Sequence, residues 1–193
     1  MNKSGRLVII SGPSGVGKTS LVDALISSNV LEVPCKKVVT YTTRSKRDYE
    51  KEGVDYYFIS PAQFQIYIEE DFFIEWAHIY NQYYGIDKNL IDYISQGIWC
   101  FIVINQEGTT KLLKIFPDAI TIWIDPPHLK ELAARLAKRG HTTHENPLEI
   151  ATRLEKAANE IRSAHSSGIY KYWIINANFE ETLKNIAKLL HFL

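Results

Sequence analysis

The chain has 193 residues, 46% hydrophobic and 23% charged, a globular composition that excludes a disordered tail, a collagen or coiled-coil rod and a low-complexity linker. Lysine plus arginine and aspartate plus glutamate stand at 22 each, for a net charge of zero. No bulk basic field exists to hold nucleic acid or an anionic membrane, so any anion site must be built locally.

In chain order, the apolar run Arg6 to Ile10 predicts a first strand, and it stops at Ser11-Gly12-Pro13. That is too short for a signal peptide, and no later run approaches a membrane span, so a cytoplasmic chain is expected. The stretch from about Thr40 to Tyr84 is rich in tyrosine and phenylalanine and reads as a small mixed sheet inserted into a parallel core. Within it, Ser60-Pro61-Ala62-Gln63 carries a cap, a first-turn proline and a capping-box glutamine. The runs Ile98 to Ile104, Ala119 to Ile124 and Tyr172 to Ile175 are unpunctuated, as strands buried on both faces should be. Asn146-Pro147-Leu148-Glu149 repeats the cap grammar before a long helix reaching to about His165. Gly97 and Gly140 fall where left-handed helix ends are expected, and Arg139 to Asn146 reads as a mobile loop. Alternation of strands and helices predicts an α/β fold with a parallel sheet. Cys35 and Cys100 are too few for a disulfide scaffold and lack metal spacing; Cys100 reads as a buried, inert thiol.

Gly12-Pro13-Ser14-Gly15-Val16-Gly17-Lys18-Thr19 matches G-x-x-x-x-G-K-[ST] in full, between the first strand and a helix opening at Thr19, Ser20 and Leu21. Such a loop turns successive backbone N–H groups toward a phosphate, and the helix dipole adds partial positive charge. Lys18 is the side chain for the β/γ-phosphates and the Thr19 hydroxyl the ligand for Mg²⁺. A P-loop specifies a nucleoside triphosphate but not the reaction. No base-reading N-K-x-D of the G-protein kind is present.

Thr40-Tyr41-Thr42-Thr43-Arg44-Ser45-Lys46-Arg47 sets two arginines three apart beside hydroxyls, a pattern suited to a second phosphate. A solvated basic turn would give the same pattern. Together with Gly53-Val54-Asp55-Tyr56-Tyr57-Phe58, Phe73-Ile74-Glu75-Trp76-Ala77, Tyr83-Tyr84-Gly85, Asp125-Pro126-Pro127, Arg135, Arg139 and Arg153, the sequence closely resembles guanylate kinase from about Gly5 to Asn176. The resemblance implies a P-loop NTPase fold with a five-stranded parallel core. It implies a core of residues 1–36, 92–135 and 165–193, an acceptor-binding insert of 37–91 and a helical lid of 136–164. The implied activity is transfer of a phosphoryl group from ATP, with Mg²⁺, to GMP or dGMP. ATP and GMP are the implied partners, with no nucleic acid or membrane, for a monomer or homodimer.

Carried over by position, Arg44, Arg47, Tyr56 and Tyr84 hold the acceptor phosphate, while Glu75 and Thr40 read guanine. Arg135, Arg139 and Arg153 are the lid arginines, catalytic with Lys18 and Arg44, and Asn176 lies on the adenine side. Of the adjacent Tyr83 and Tyr84, only one can face the site from a strand, and Tyr84 is the choice.

The sequence departs from the family at the acceptor base. Ile86, expected at the GMP base with Asn105, stands where the family has serine or threonine, Val103 and Asn105 where it has two acidic residues, and Ala177 where an acid is usual. Asn105 is expected to accept one hydrogen bond through its amide oxygen. Asp125 is either a substitute metal partner or a helix N-cap. Two other readings remain: a kinase of the same fold with another acceptor (another nucleoside monophosphate or ribose 1,5-bisphosphate), and a guanylate-kinase-like binding module. Trp76, Trp99, Trp123 and Trp173 read as core packing.

Overall fold

The computed structural model describes residues 5–79, 81–143 and 147–193; the side chains of 138–143, 147 and 149 lie outside that description. The chain begins with β1 (Leu7–Ser11), α1 (Lys18–Ser27), β2 (Cys35–Lys37), β3 (Thr40–Thr42) and β4 (Tyr56–Phe58). It continues through α2 (Pro61–Glu69), β5 (Phe73–Ile79), β6 (Gln82–Asp87), α3 (Asn89–Ser95), β7 (Trp99–Val103) and α4 (Gln106–Ile115). It ends with β8 (Ile120–Asp125), α5 (Leu129–Thr143), α6 (Pro147–Ser167), β9 (Tyr172–Ile175) and α7 (Phe179–His191).

Two sheets organise these elements. One has five parallel strands in the order β2-β7-β1-β8-β9, and the other has four in the order β4-β3-β6-β5. In the second sheet β3 pairs in parallel with β4 and antiparallel with β6. The parallel sheet is buried where its sequence lacks polar alternation: β1 is buried at all five positions. Helices on both faces of such strands leave no solvent face for polar residues to occupy. The four long apolar runs all become strands of the parallel sheet, but β9 lies at its edge with Trp173 and Ile175 exposed, so burial on both faces does not extend to that run. The fifth strand, β2, spans only Cys35–Lys37 at the sheet edge, too short and too charged to stand out in sequence.

Helix ends follow local chemistry. Ser60 Oγ accepts the Gln63 N–H at 3.1 Å, as its motif predicts. After α3, Gly97 and Ile98 donate back to the carbonyls of Ile94 and Tyr93, both at 3.0 Å, a Schellman closure. Gly140 ends no helix: α5 runs through it to Thr143, so the loop expected over Arg139 to Asn146 is helical as far as 143, and 144–146 lie outside the described residues. One interior glycine costs about 1 kcal/mol, which the Leu- and Ala-rich turns before it offset. Trp99 and Trp123 are buried as expected, whereas Trp76 and Trp173 are substantially exposed. Both sit on strands near sheet edges, so an apolar run alone misjudges their cover.

Candidate active site

The P-loop leaves β1 at Ser11, whose buried hydroxyl donates to the Ile104 carbonyl at 2.7 Å and lies 3.0 Å from Thr109 Oγ1. These contacts tie the loop's start to the end of β7 and to α4. Gly17 caps α1 at φ +100°, and a Cβ there would lie 2.8 Å from Asn176 Nδ2, so both backbone and space require glycine. Asn176 in turn donates through Nδ2 to the Val16 carbonyl at 2.7 Å, and its Oδ1 is buried without a hydrogen-bond partner. Asn176 thus braces the loop from beyond β9.

Lys18 Nζ donates to the Gly12 and Pro13 carbonyls at 2.7 and 2.9 Å, which sets the ammonium across the loop. Thr19 and Ser20 are exposed on the first turn of α1. Two of the three arginines expected to serve the lid also reach this region. Arg153 Nη2 donates to Ser14 Oγ at 2.7 Å; Arg135 Nη2 donates to the Asn176 carbonyl at 3.0 Å and pairs with Glu131. The Arg139 side chain lies outside the described residues. Glu160 on α6 is raised by burial, and Lys156 and Lys18 pull it down.

The second sheet brings most of the residues expected at the acceptor onto one face. Thr40 is level with Tyr56 across the β3–β4 pair, Thr42 with Tyr84 across β3–β6, Ala77 with Tyr84 and Glu75 with Ile86 across β5–β6. Side chains level with one another, or two apart, share a face. Thr40, Tyr56, Glu75, Tyr84 and Ile86 therefore line one side, with Arg44 two residues beyond Thr42. Tyr41, Tyr83 and Phe73 lie on the other side, where Phe64 of α2 stacks on Phe73 and Tyr83 at ring distances of 4.5 and 5.1 Å. A register shift between Phe73 and Glu75 explains how residues two apart face opposite ways: the bulge sends Phe73 to the aromatic layer and Glu75 to the face of Tyr56 and Tyr84. Gly85 is required for that layer, because a Cβ would sit 2.6 Å from the Phe73 ring.

Arg44 is held firmly. Its Nη2 bonds Glu50 Oε1 at 2.7 Å and its Nη1 the Ser45 carbonyl at 2.8 Å, and its guanidinium lies 5.3 Å from the Tyr56 ring centre. Glu50 also accepts the Arg47 backbone N–H at 2.9 Å. Burial alone would raise the Glu50 carboxyl; the hydrogen bonds from Arg44 and the Arg47 backbone, with both guanidinium charges, outweigh it and hold it low. Burial also raises Tyr56, reinforced by neighbouring Tyr84, which keeps its hydroxyl a neutral donor.

Glu75 lies on the face of Tyr56 and Tyr84 with its side chain 11% exposed. Burial lifts its carboxyl above the ordinary value, and Lys111 of α4 only partly offsets this. The Lys111 ammonium lies 3.0 Å from Glu75 Oε1, yet that oxygen receives no directed hydrogen bond. The contact is one of charge, and the carboxylate keeps acceptor capacity. Glu50 and Lys111 are the two site residues that motif reading misses. An acid three residues after Arg47 offered a weak signal for Glu50, and nothing in sequence couples Lys111 to a strand 36 residues earlier.

Three expectations, for Ile86, Asn105 and Asp125, change. Ile86 is 3% exposed and packs with Ile9, Leu90, Cys100 and Ile102 in the core; its side chain is taken up there, not by the pocket. The Asn105 amide oxygen, expected to accept from the base, caps α4 by accepting the Gly108 N–H at 2.9 Å. Val103 packs against the core cluster of β1 and β8. Asp125 accepts from Trp123 Nε1 at 2.7 Å and sits 3.0 Å from His165 Nε2, so it is neither a free metal partner nor a helix cap. Among the described residues no group of three or more His, Cys, Asp or Glu side chains could hold a metal ion, and no helix is long and apolar enough to cross a membrane.

A P-loop at the carboxyl end of β1 and a second face armed with arginine, tyrosine and carboxylate supply two anion sites, as a P-loop phosphotransferase requires. A family model described as guanylate kinase matches residues 4–192. A guanylate kinase of Haemophilus influenzae is 40% identical over 190 residues, covering 96% of this chain and 87% of that one. One from the Aster yellows witches'-broom phytoplasma is 40% identical over 178 residues, 91% of this chain and 81% of its own. The crystal structure of guanylate kinase from Anaplasma phagocytophilum superposes with a TM-score of 0.76 at 30% identity, covering 98% of this chain and 86% of that one. The chain belongs to the guanylate kinase family, the enzymes that phosphorylate GMP to GDP with ATP.

Proposed function

We propose that this chain carries out the family reaction with GMP or dGMP bound on the pocket face of the second sheet and ATP on the P-loop. The observation that carries this reading is the register, which gathers Thr40, Tyr56, Glu75 and Tyr84 on one face with Arg44 at its end. Arg44, Arg47, Tyr56 and Tyr84 grip the acceptor phosphate, and Glu75 accepts from the N1–H and 2-amino group of guanine, with Thr40 nearby. An acceptor phosphate oxygen is already nucleophilic, so positioning and charge stabilisation supply the catalysis. Lys18 and the backbone N–H groups of Gly12 to Thr19, with Ser20 beside them, hold the donor phosphates. Arg135, Arg139 and Arg153 neutralise charge on the transferring group as residues 136–164 close.

Mg²⁺ enters with ATP as part of the substrate. Thr19 offers it one protein oxygen and Val103 offers none, so nucleotide oxygens and water supply most of its ligands. Overall neutrality supports small nucleotides as partners in place of nucleic acid. Two unpaired thiols fit the reducing cytoplasm. Coupled ADP release with ATP-Mg²⁺ tests the reading against GMP, dGMP, IMP, AMP, UMP and ribose 1,5-bisphosphate. Preference for GMP or dGMP supports it. Preference for another acceptor reassigns the pocket, and ATP binding without turnover on any acceptor would make the chain a binding module.

A further inference from the structure

Reading guanine takes more than a carboxylate. Glu75 can accept from N1–H and the 2-amino group, but the neighbouring 6-oxo oxygen has two lone pairs, and the Thr40 hydroxyl on the same face fills at most one of them. The strand position level with Glu75 is Ile86, whose side chain lies in the core. The amide oxygen of Asn105 is an acceptor and is already engaged as a helix cap. The cation beside the carboxylate is Lys111, with Nζ 3.0 Å from Glu75 Oε1 and 3.4 Å from Glu107 Oε1, donating to the Trp76 carbonyl at 3.2 Å.

We propose that Lys111 is a specificity-determining residue that donates to the 6-oxo oxygen of the acceptor base while Glu75 accepts from its N1–H. This rests on the GMP reading of the pocket. An ammonium and a carboxylate in contact form an acceptor–donor pair that complements the adjacent N1–H and C6=O of a 6-oxopurine. Adenine reverses both positions, presenting a 6-amino donor to the ammonium and a bare N1 acceptor to the carboxylate, so two like pairs face each other. Glu107, the Trp76 carbonyl and Glu75 surround the ammonium with acceptors, which holds its charge at the edge of the pocket. Burial lifts Glu75 and Lys111 opposes that rise, so the same cation favours the accepting form of the carboxylate.

The test compares kcat and KM of the wild-type chain, K111M and K111Q on GMP, IMP and AMP with ATP-Mg²⁺. IMP keeps the 6-oxo and N1–H groups but lacks the 2-amino group, so it separates the Lys111 contact to the 6-oxo oxygen from the Glu75 contact to the 2-amino group. K111M is expected to lower kcat/KM for GMP and IMP by a similar factor, on the order of ten- to a hundredfold. The loss falls mainly on KM, while AMP stays level or improves, so the GMP-to-AMP ratio collapses. K111Q keeps a neutral donor and recovers part of that ratio; it also serves alone should K111M fail to fold. An unchanged ratio in the variants, or an equal loss on all three acceptors, overturns the proposal. A wild-type chain that ignores GMP and uses another acceptor overturns the GMP reading itself, and this inference with it, before any variant is measured.

Discussion

Glu50 is the residue whose replacement tests the acceptor site most directly. Its side chain is 6% exposed, and it joins Arg44 Nη2 at 2.7 Å to the Arg47 backbone N–H at 2.9 Å. Glu50→Gln keeps the shape and can still accept from Arg47, but its amide N–H₂ then faces the Arg44 guanidinium, donor against donor. Loss of one charge-assisted hydrogen bond costs about 1.5–3 kcal/mol, and breaking a buried ion pair about 3–5 kcal/mol. Arg44 is 19% exposed and regains some hydration, so about 2–3 kcal/mol is the expected loss. At about 2–4 °C per kcal/mol for a chain of this length, Tm should fall by roughly 4–12 °C. Because Arg44 is no longer aimed, KM for GMP should rise about tenfold while KM for ATP holds. The carboxyl is depressed in the folded state, so its contribution is present above the unfolded value near pH ~4.3 and is lost as pH falls through the folded value. The wild-type minus E50Q difference in Tm should therefore shrink on acidification below about pH 4. A variant with wild-type Tm and wild-type KM for GMP would refute Glu50 as the support of Arg44.

Three further outcomes follow from packing and burial. Gly85→Ala drives a methyl group to 2.6 Å from the Phe73 ring and should cost about 1–3 kcal/mol, read as a lower urea midpoint; an unchanged midpoint would mean the aromatic layer yields freely. Asn176→Ala leaves the Val16 carbonyl without its donor, at about 1–3 kcal/mol, and should raise KM for ATP more than KM for GMP; the reverse order would place Asn176 outside the donor site. Burial pushes the Cys100 thiol up to about 11, with Lys36 pulling slightly the other way. It should therefore resist an aromatic disulfide reagent at pH ~8 until the chain unfolds, and prompt labelling of both thiols in the native state would contradict that.

The contrast between Tyr84 and Ile86 shows how far the sequence carries. Adjacency of Tyr83 and Tyr84 already meant that only one could face the pocket, and the register puts Tyr84 on the face with Tyr56. Position 86 shares that face by parity, yet its side chain is buried among Ile9, Cys100 and Ile102, because the sheet's end packs onto the parallel core. Strand parity is a local property; what covers a strand is not. The same distinction explains Gly140, a local helix-end signal overridden by the run of helix formers before it, and Trp173, apolar in its run but only partly covered.

The sequence by itself determined the P-loop, four strands of the parallel sheet, the capped start of α2 and the set of residues that suit two phosphates; the cap expected at Asn146 lies outside the described residues. Each of those rests on chemistry within a few residues: glycine conformation, apolar runs, cap side chains and arginine geometry. Only the tertiary structure decided that Glu50 orients Arg44, that a bulge turns Glu75 away from Phe73, that Asn176 braces Val16 and that Lys111 meets Glu75. Asn176 and Lys111 meet partners 160 and 36 residues away, and no periodicity encodes such pairings. They arise when separate elements compete to bury apolar surface, and the polar groups left at the seams must find one another.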